Sequence, residues 1–84
     1  VAANPVSIKI TYCAECGYAP QTLELTGALM NEFRSKIASI TIIPWHDGAF
    51  DVRVGDVLVH AMDRDGGFPK NETVIEAVRA QLNG

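Results

Sequence analysis

The spacing of apolar residues changes across residues 13–18, and this change constrains the chain more than any other feature. Before it, Val6, Ile8, Ile10 and Tyr12 alternate with Ser7, Lys9 and Thr11. A period of two built from β-branched residues is the pattern of a strand. After it, Leu25, Leu29 and Phe33 recur at four-residue steps with Ala28 beside them. That is the stripe of an amphipathic helix, and the spacing predicts it over residues 19–35. Pro20 suits the first turn, where its missing N–H is not needed. Gly27 inside the helix costs about 1 kcal/mol against alanine. Between the two patterns lies Cys13-Ala14-Glu15-Cys16-Gly17-Tyr18, so both cysteines fall at a strand-to-helix junction.

The rest of the chain continues in short units. Ile40-Thr41-Ile42-Ile43, ended by Pro44, reads as a buried strand, and residues 45–48 as a loop. Phe50–Val54 and Val57–Ala61 flank Gly55-Asp56, and glycine first in a two-residue loop suits a type II′ hairpin turn. That turn sets Val54 opposite Val57, Val52 opposite Val59 and Phe50 opposite Ala61, with all six on one face. His60 then lies opposite Asp51 on the other face, as a partly exposed cross-strand pair. Residues 63–70 form a loop rich in turn residues. A last helix is expected over residues 72–82, capped by Asn71 or by Thr73 with Glu76, buried through Val74, Ile75, Val78 and Leu82, and ended by Asn83-Gly84. The order β-α-β-β-β-α places the first two strands parallel, with a right-handed crossover, and adds an antiparallel hairpin. The expected fold is one α/β domain (an α+β sandwich) of thioredoxin-like plan, a mixed four-stranded sheet with two helices, over residues 1–84.

Composition narrows the function. The 84 residues are 48% apolar and 20% charged, ordinary for a globular domain. Seven basic and ten acidic residues give a charge of −3 with no basic stripe, which disfavours nucleic acid and anionic membranes as partners. No apolar run approaches the roughly 20 residues of a membrane-spanning helix. Val1 to Pro5 lack the basic start and apolar stretch of a signal peptide, so the cytoplasm is the expected location and a monomer the expected state.

Two cysteines three positions apart are too few and too close for a disulfide framework. Closing so short a loop constrains the unfolded chain little, so the pair reads as chemistry. Near a helix start the free N–H groups and the helix dipole favour a thiolate. Such a setting lowers a cysteine pKa from about 8.5 toward roughly 3.5–7.5. One thiolate attacks a disulfide or peroxide, and the other sulfur resolves the mixed species. The expected catalytic pair is Cys13 and Cys16. Gly17 lets a substrate backbone approach, Tyr12 and Tyr18 flank the pair as an apolar lip, and Trp45 is read first as core and second as a substrate platform.

The competing readings are weaker. Structural zinc wants four N or S ligands, and the chain offers two sulfurs plus His46 and His60. No metal or other cofactor is expected. Asp63-Arg64-Asp65-Gly66 lacks the later ligands of a calcium loop. Phe68 reads as a core anchor, while Asp47, Asp51, Arg53 and Asp56 mark solvated positions.

Taken together, Tyr12-Cys13-x-x-Cys16-Gly17-Tyr18, Gly48-Ala49-Phe50-Asp51-Val52-Arg53-Val54, the hairpin, Gly66-Gly67-Phe68-Pro69 and the closing helix with Val78-Arg79 resemble the selenoprotein W-like proteins of the Rdx family, the group that includes selenoproteins T, W and H. The resemblance runs from Val6 to Leu82. It implies a thioredoxin-like fold and a redox role linked to glutathione or peroxide, with protein thiols, protein disulfides or glutathione as partners. Selenoprotein W carries selenocysteine at the second position of the motif, where this chain has Cys16; it is therefore similar to the cysteine-containing, prokaryotic-type homologues. Thioredoxin logic makes Cys13 the attacking sulfur and the selenium position points to Cys16; the first is the assignment preferred from sequence. Thioredoxins also place a proline just before the strand that faces the active site, whereas here Gly48-Ala49 precede Phe50. The function expected is thiol–disulfide exchange or glutathione- or peroxide-linked redox chemistry, with a redox-sensing adaptor that does not turn over as the alternative.

Overall fold

A computed structural model describes residues 6–83. The readings of Val1–Pro5 and of Gly84 as the helix stop lie outside the described residues. The elements are β1 (Ser7–Cys13), α1 (Ala19–Phe33), a 3₁₀ turn (Arg34–Lys36), β2 (Ser39–Trp45), β3 (Phe50–Val54), β4 (Val57–Ala61), α2 (Met62–Asp65) and α3 (Asn71–Asn83). The sheet order is β2-β1-β3-β4. β1 runs parallel to β2 and antiparallel to β3, and β3 runs antiparallel to β4. The result is a mixed four-stranded α+β fold, as expected.

The alternation in β1 decides which face is covered. Ile8 and Ile10 are buried while Ser7 and Lys9 are exposed. Across the ladder, Ile8 pairs with Val54 and Ile10 with Val52, and paired residues point the same way. α1 adds Leu25, Leu29 and Phe33 to this face, and α3 adds Val74 and Val78. Side chains tie the two helices together: Arg79 bonds Glu32, and Asn71 Nδ2 donates to Glu24.

Four expectations are corrected. β2 is longer than residues 40–43 and is no buried strand. It lies at the sheet's edge, where Ile42 is 38% exposed and Ile40 half-buried. An edge also tolerates Pro44, which has no N–H to give a ladder. Second, the hairpin keeps Val54 opposite Val57 but then slips. Val52 faces His60, and Asp51, not Phe50, faces Ala61, with a bulge at Val59. Strict alternation cannot register one inserted residue. The slip turns His60 into the covered face, where it is 7% exposed, and so breaks the expected His60–Asp51 pair. The buried imidazole needs a partner: its Nε2–H donates to the Gly67 carbonyl at 2.8 Å, with Asp65 3.6 Å from Nδ1. Val57, expected on the apolar face, is exposed. Third, α2 occupies part of the expected 63–70 loop. Fourth, Asn71 and Thr73 lie inside α3, not ahead of it as caps, and Asn71 reaches Glu24.

Candidate active site

Two backbone hydrogen bonds hold the cysteine segment. The Cys13 N–H donates to the Ala49 carbonyl at 2.7 Å, and the Ala14 N–H donates to the Trp45 carbonyl at 3.0 Å. The end of β1 is thus pinned on both sides, by β2 and by the approach to β3. Residues 14–17 then turn, closed by a bond from the Gly17 N–H to the Ala14 carbonyl at 3.4 Å. Gly17 takes φ +81, and the space where a Cβ would stand is open. Tyr18 occupies the cap position of α1 without a side-chain cap bond, and no acidic residue lies in the first turn. The positive end of the helix therefore meets the cysteines with no carboxylate in its own first turn.

Cys13 and Cys16 form a disulfide, with their Cα atoms 5.3 Å apart. The two cysteines differ sharply in access: Cys13 is 0% exposed and Cys16 lies on the surface. Any reagent from solution meets Cys16 first.

The structure divides the remaining predicted site residues. Gly17 and Trp45 lie at the exposed surface beside the pair. Trp45 is not core: it sits next to Cys13 across the β1–β2 ladder, is 53% exposed and stacks on His46 with centroids 4.6 Å apart. Its place at the end of an edge strand explains this, because among the described residues no strand lies beyond it. Tyr12 and Tyr18 are half-buried and pack against the core, so neither is a free lip. Tyr12 lies between Pro44 and Phe50. Tyr18 meets the edge of Phe68 at 4.9 Å, and Phe68 meets Phe50 at 5.0 Å. Phe68 is thus a wedge at the rim, 39% exposed, rather than a buried anchor.

A groove of about 270 Å³, overlooked in the sequence reading, opens against the pinned segment. Trp45 and Ala49, whose carbonyls hold the motif, form part of its wall. Thr11, Asp47, Asp51 and Asp63 line it as well. His46 Nδ1 lies 2.7 Å from Asp47 Oδ2 at its rim. Asp51, a solvated position by sequence, is part of a groove wall because its strand partner is Thr11, which no local pattern announces. Among the described residues, no three His, Cys, Asp or Glu side chains cluster to hold a metal. Nor, among those residues, is any helix long and apolar enough to cross a membrane.

A four-stranded mixed sheet backed by helices, with a cysteine pair where the first strand hands over to the first helix, defines a thioredoxin-like dithiol protein. Comparison with known proteins sets the lineage: the Rdx family profile matches residues 7–80, and the chain belongs to the Rdx family. It is 32% identical to mouse migration and invasion enhancer 1 over 83 residues, covering 99% of this chain and 70% of that protein. It is 30% identical to sheep selenoprotein W over 82 residues, covering 92% of this chain and 94% of the relative. The crystal structure of a selenoprotein W-related protein from Vibrio cholerae superposes with a TM-score of 0.88 at 25% identity, over 94% of this chain and 99% of that one.

Proposed function

We propose that the protein is a thiol–disulfide oxidoreductase in which Cys16 makes the external exchange and Cys13 resolves it. The observation that carries this reading is the disulfide between a buried Cys13 and an exposed Cys16. In the reduced protein the Cys16 thiolate attacks one sulfur of a substrate disulfide. The new S–S bond joins Cys16 to the substrate, and the other substrate sulfur leaves as a thiolate and takes up a proton. The Cys13 thiol, losing its proton, then attacks Cys16 Sγ. This closes the internal disulfide and expels the second substrate sulfur as a thiol. Two electrons pass to the substrate, and a thiol donor running the steps backwards restores the dithiol. The assignment reverses the preference for Cys13 drawn from thioredoxin, because a sealed sulfur cannot meet a macromolecular partner.

The carboxylates of Asp47, Asp51 and Asp63 in the groove favour a neutral or basic protein segment over anionic glutathione. A cytoplasmic setting, where thiols are kept reduced, suits a pair that must cycle. The adaptor reading draws on Trp45, whose exposed ring offers a recognition surface whatever the turnover.

The deciding experiment uses two single variants and a disulfide substrate. Cys13→Ser should accumulate a mixed disulfide through Cys16, visible by mass, while Cys16→Ser should form none and turn nothing over. Turnover retained in Cys16→Ser would remove the proposal. A wild-type protein whose partner affinity follows its oxidation state, without turnover, would favour the adaptor.

A further inference from the structure

The two edges of the sheet are finished differently. On β4 the outer strand is bulged, and Arg64 reaches back to it: Nη1 donates to the Leu58 carbonyl at 3.3 Å and Nη2 to the Val59 carbonyl at 3.0 Å. Bulges and covering charges are the usual ways a protein keeps an edge from pairing with another chain. β2 has neither. Ser39-Ile40-Thr41-Ile42-Ile43-Pro44-Trp45 carries no charge and pairs in unbroken register with β1.

The direction of its free groups follows from one bond. The Trp45 carbonyl accepts from Ala14, so it faces β1. Backbone groups alternate along a strand, so Ser39, Thr41 and Ile43 also face β1. Ile40, Ile42 and Pro44 face outward. Among the described residues the outer edge is therefore unpaired, and its N–H donors are those of Ile40 and Ile42, because Pro44 has none.

We propose that this edge pairs with β2 of a second copy of the chain, antiparallel, about a two-fold axis at Thr41. In that register Ile40 of one copy lies opposite Ile42 of the other. Each of these residues exchanges both its N–H and its C=O with its opposite, so every outward donor is satisfied and the blocked N–H position of Pro44 lies beyond the ladder. A register centred on Ile42 would instead set Ile40 against Pro44 and leave a carbonyl without a donor. Thr41 meets Thr41, a favourable cross-strand pair, and the neutral strand brings no like charges together. A second copy is preferred to an unrelated strand because the edge is complementary to itself. The flanking surface is also apolar. Glu24 and Glu32 of α1 reach α3, so Leu23 and Met30, both exposed, stand on the opposite flank of α1, on the β2 side of the sheet. The two four-stranded sheets would join into one, with the two cysteine pairs one strand in from the seam and at opposite ends of the strands. The proposed assembly departs from the monomer expected from sequence.

The test measures mass in solution by sedimentation across a dilution series, with reductant present so that no intermolecular disulfide contributes. The wild type should run at twice the monomer mass. Thr41→Lys, which sets two lysines against each other on the axis, should weaken self-association on the order of a hundredfold. Thr41→Glu should do the same, and an equimolar mixture of the two variants should restore the dimer. Circular dichroism and closure of the Cys13–Cys16 disulfide show that each variant is folded. A wild type that stays monomeric at the highest concentration, a Thr41→Lys protein that dimerises like the wild type, or folded variants that fail to pair when mixed would each overturn the proposal.

Discussion

The Trp45 carbonyl holds the Ala14 N–H at 3.0 Å while the Trp45 ring stands free on the surface, so this one residue fixes the cysteine loop with its backbone and offers its side chain outward. The two roles separate on mutation. Trp45→Ala keeps the carbonyl and should change stability by no more than about 0.5 kcal/mol. Exchange with a protein disulfide should slow by about tenfold, the loss typical of an aromatic contact residue, while reduction by a small dithiol stays unchanged. Stopped-flow rates with the two substrates check this; equal slowing of both would assign Trp45 to the loop's structure and not to recognition.

Phe68 joins the start of α1 to the sheet by lying edge-on to both Tyr18 and Phe50. Phe68→Ala should destabilise the fold by about 1–2 kcal/mol, below the cost for a fully buried phenylalanine because part of the ring is already wet. Phe68→Leu keeps apolar bulk without ring edges and should fall between. Urea unfolding midpoints order the three proteins.

Gly55 turns the hairpin at φ +59, and a Cβ there would stand 2.6 Å from Gln81 Oε1. Gln81 cannot easily withdraw, because its Nε2 donates to the Val54 carbonyl at 2.6 Å. Gly55→Ala should cost about 1–2 kcal/mol for the left-handed backbone alone, a fall in Tm of roughly 4–8 °C per kcal/mol in a domain of this size. Adding Gln81→Ala relieves the contact but not the backbone. The double variant should therefore fall by less than the sum of the two single changes.

Asp65 carries a pH dependence. The Arg64 guanidinium bonds its carboxylate, and the Ala61 N–H donates to it at 3.1 Å, which holds the carboxyl at about 2, below its ordinary 3.8. A group whose pKa is lowered by folding stabilises the protein fully above its unfolded value and loses that contribution as pH falls through the folded value. The urea midpoint should drop between about pH 4 and about pH 2. Asp65→Asn should start lower at neutral pH and drop less across that window. A variant that tracks the wild type through acid would show that Asp65 contributes nothing.

How far the sequence could be read depended on how local each cause was. The change of period around Cys13, the stripe Leu25–Leu29–Phe33 and the bounds of β3 and β4 arise from neighbours in the chain, and they stood. Trp45 and Ile42 failed because exposure depends on strand order, and no periodicity distinguishes an edge strand from a central one. His60 failed because a single inserted residue at Val59 reverses which side each later side chain faces. Its bond to Gly67 belongs to a loop whose composition shows a turn but not its destination. At the site, the cysteine pair and its junction were legible. The contrast between a buried Cys13 and an exposed Cys16 was not, because it depends on the end of β1 lying in the middle of the sheet, between the backbones of Trp45 and Ala49.

That contrast would set the kinetic character of the proposed exchange cycle. An outside partner meets only Cys16, so capture should be second order and saturable by concentration. In that proposal release belongs to Cys13, already held one turn away, so its rate should be intramolecular and independent of how much partner is present. Crowding the protein with substrate would speed the first event and leave the second untouched. The fraction of protein caught in mid-cycle would then rise with supply, while the lifetime of the covalent complex would stay a property of the loop between residues 13 and 16 and not of the partner's abundance.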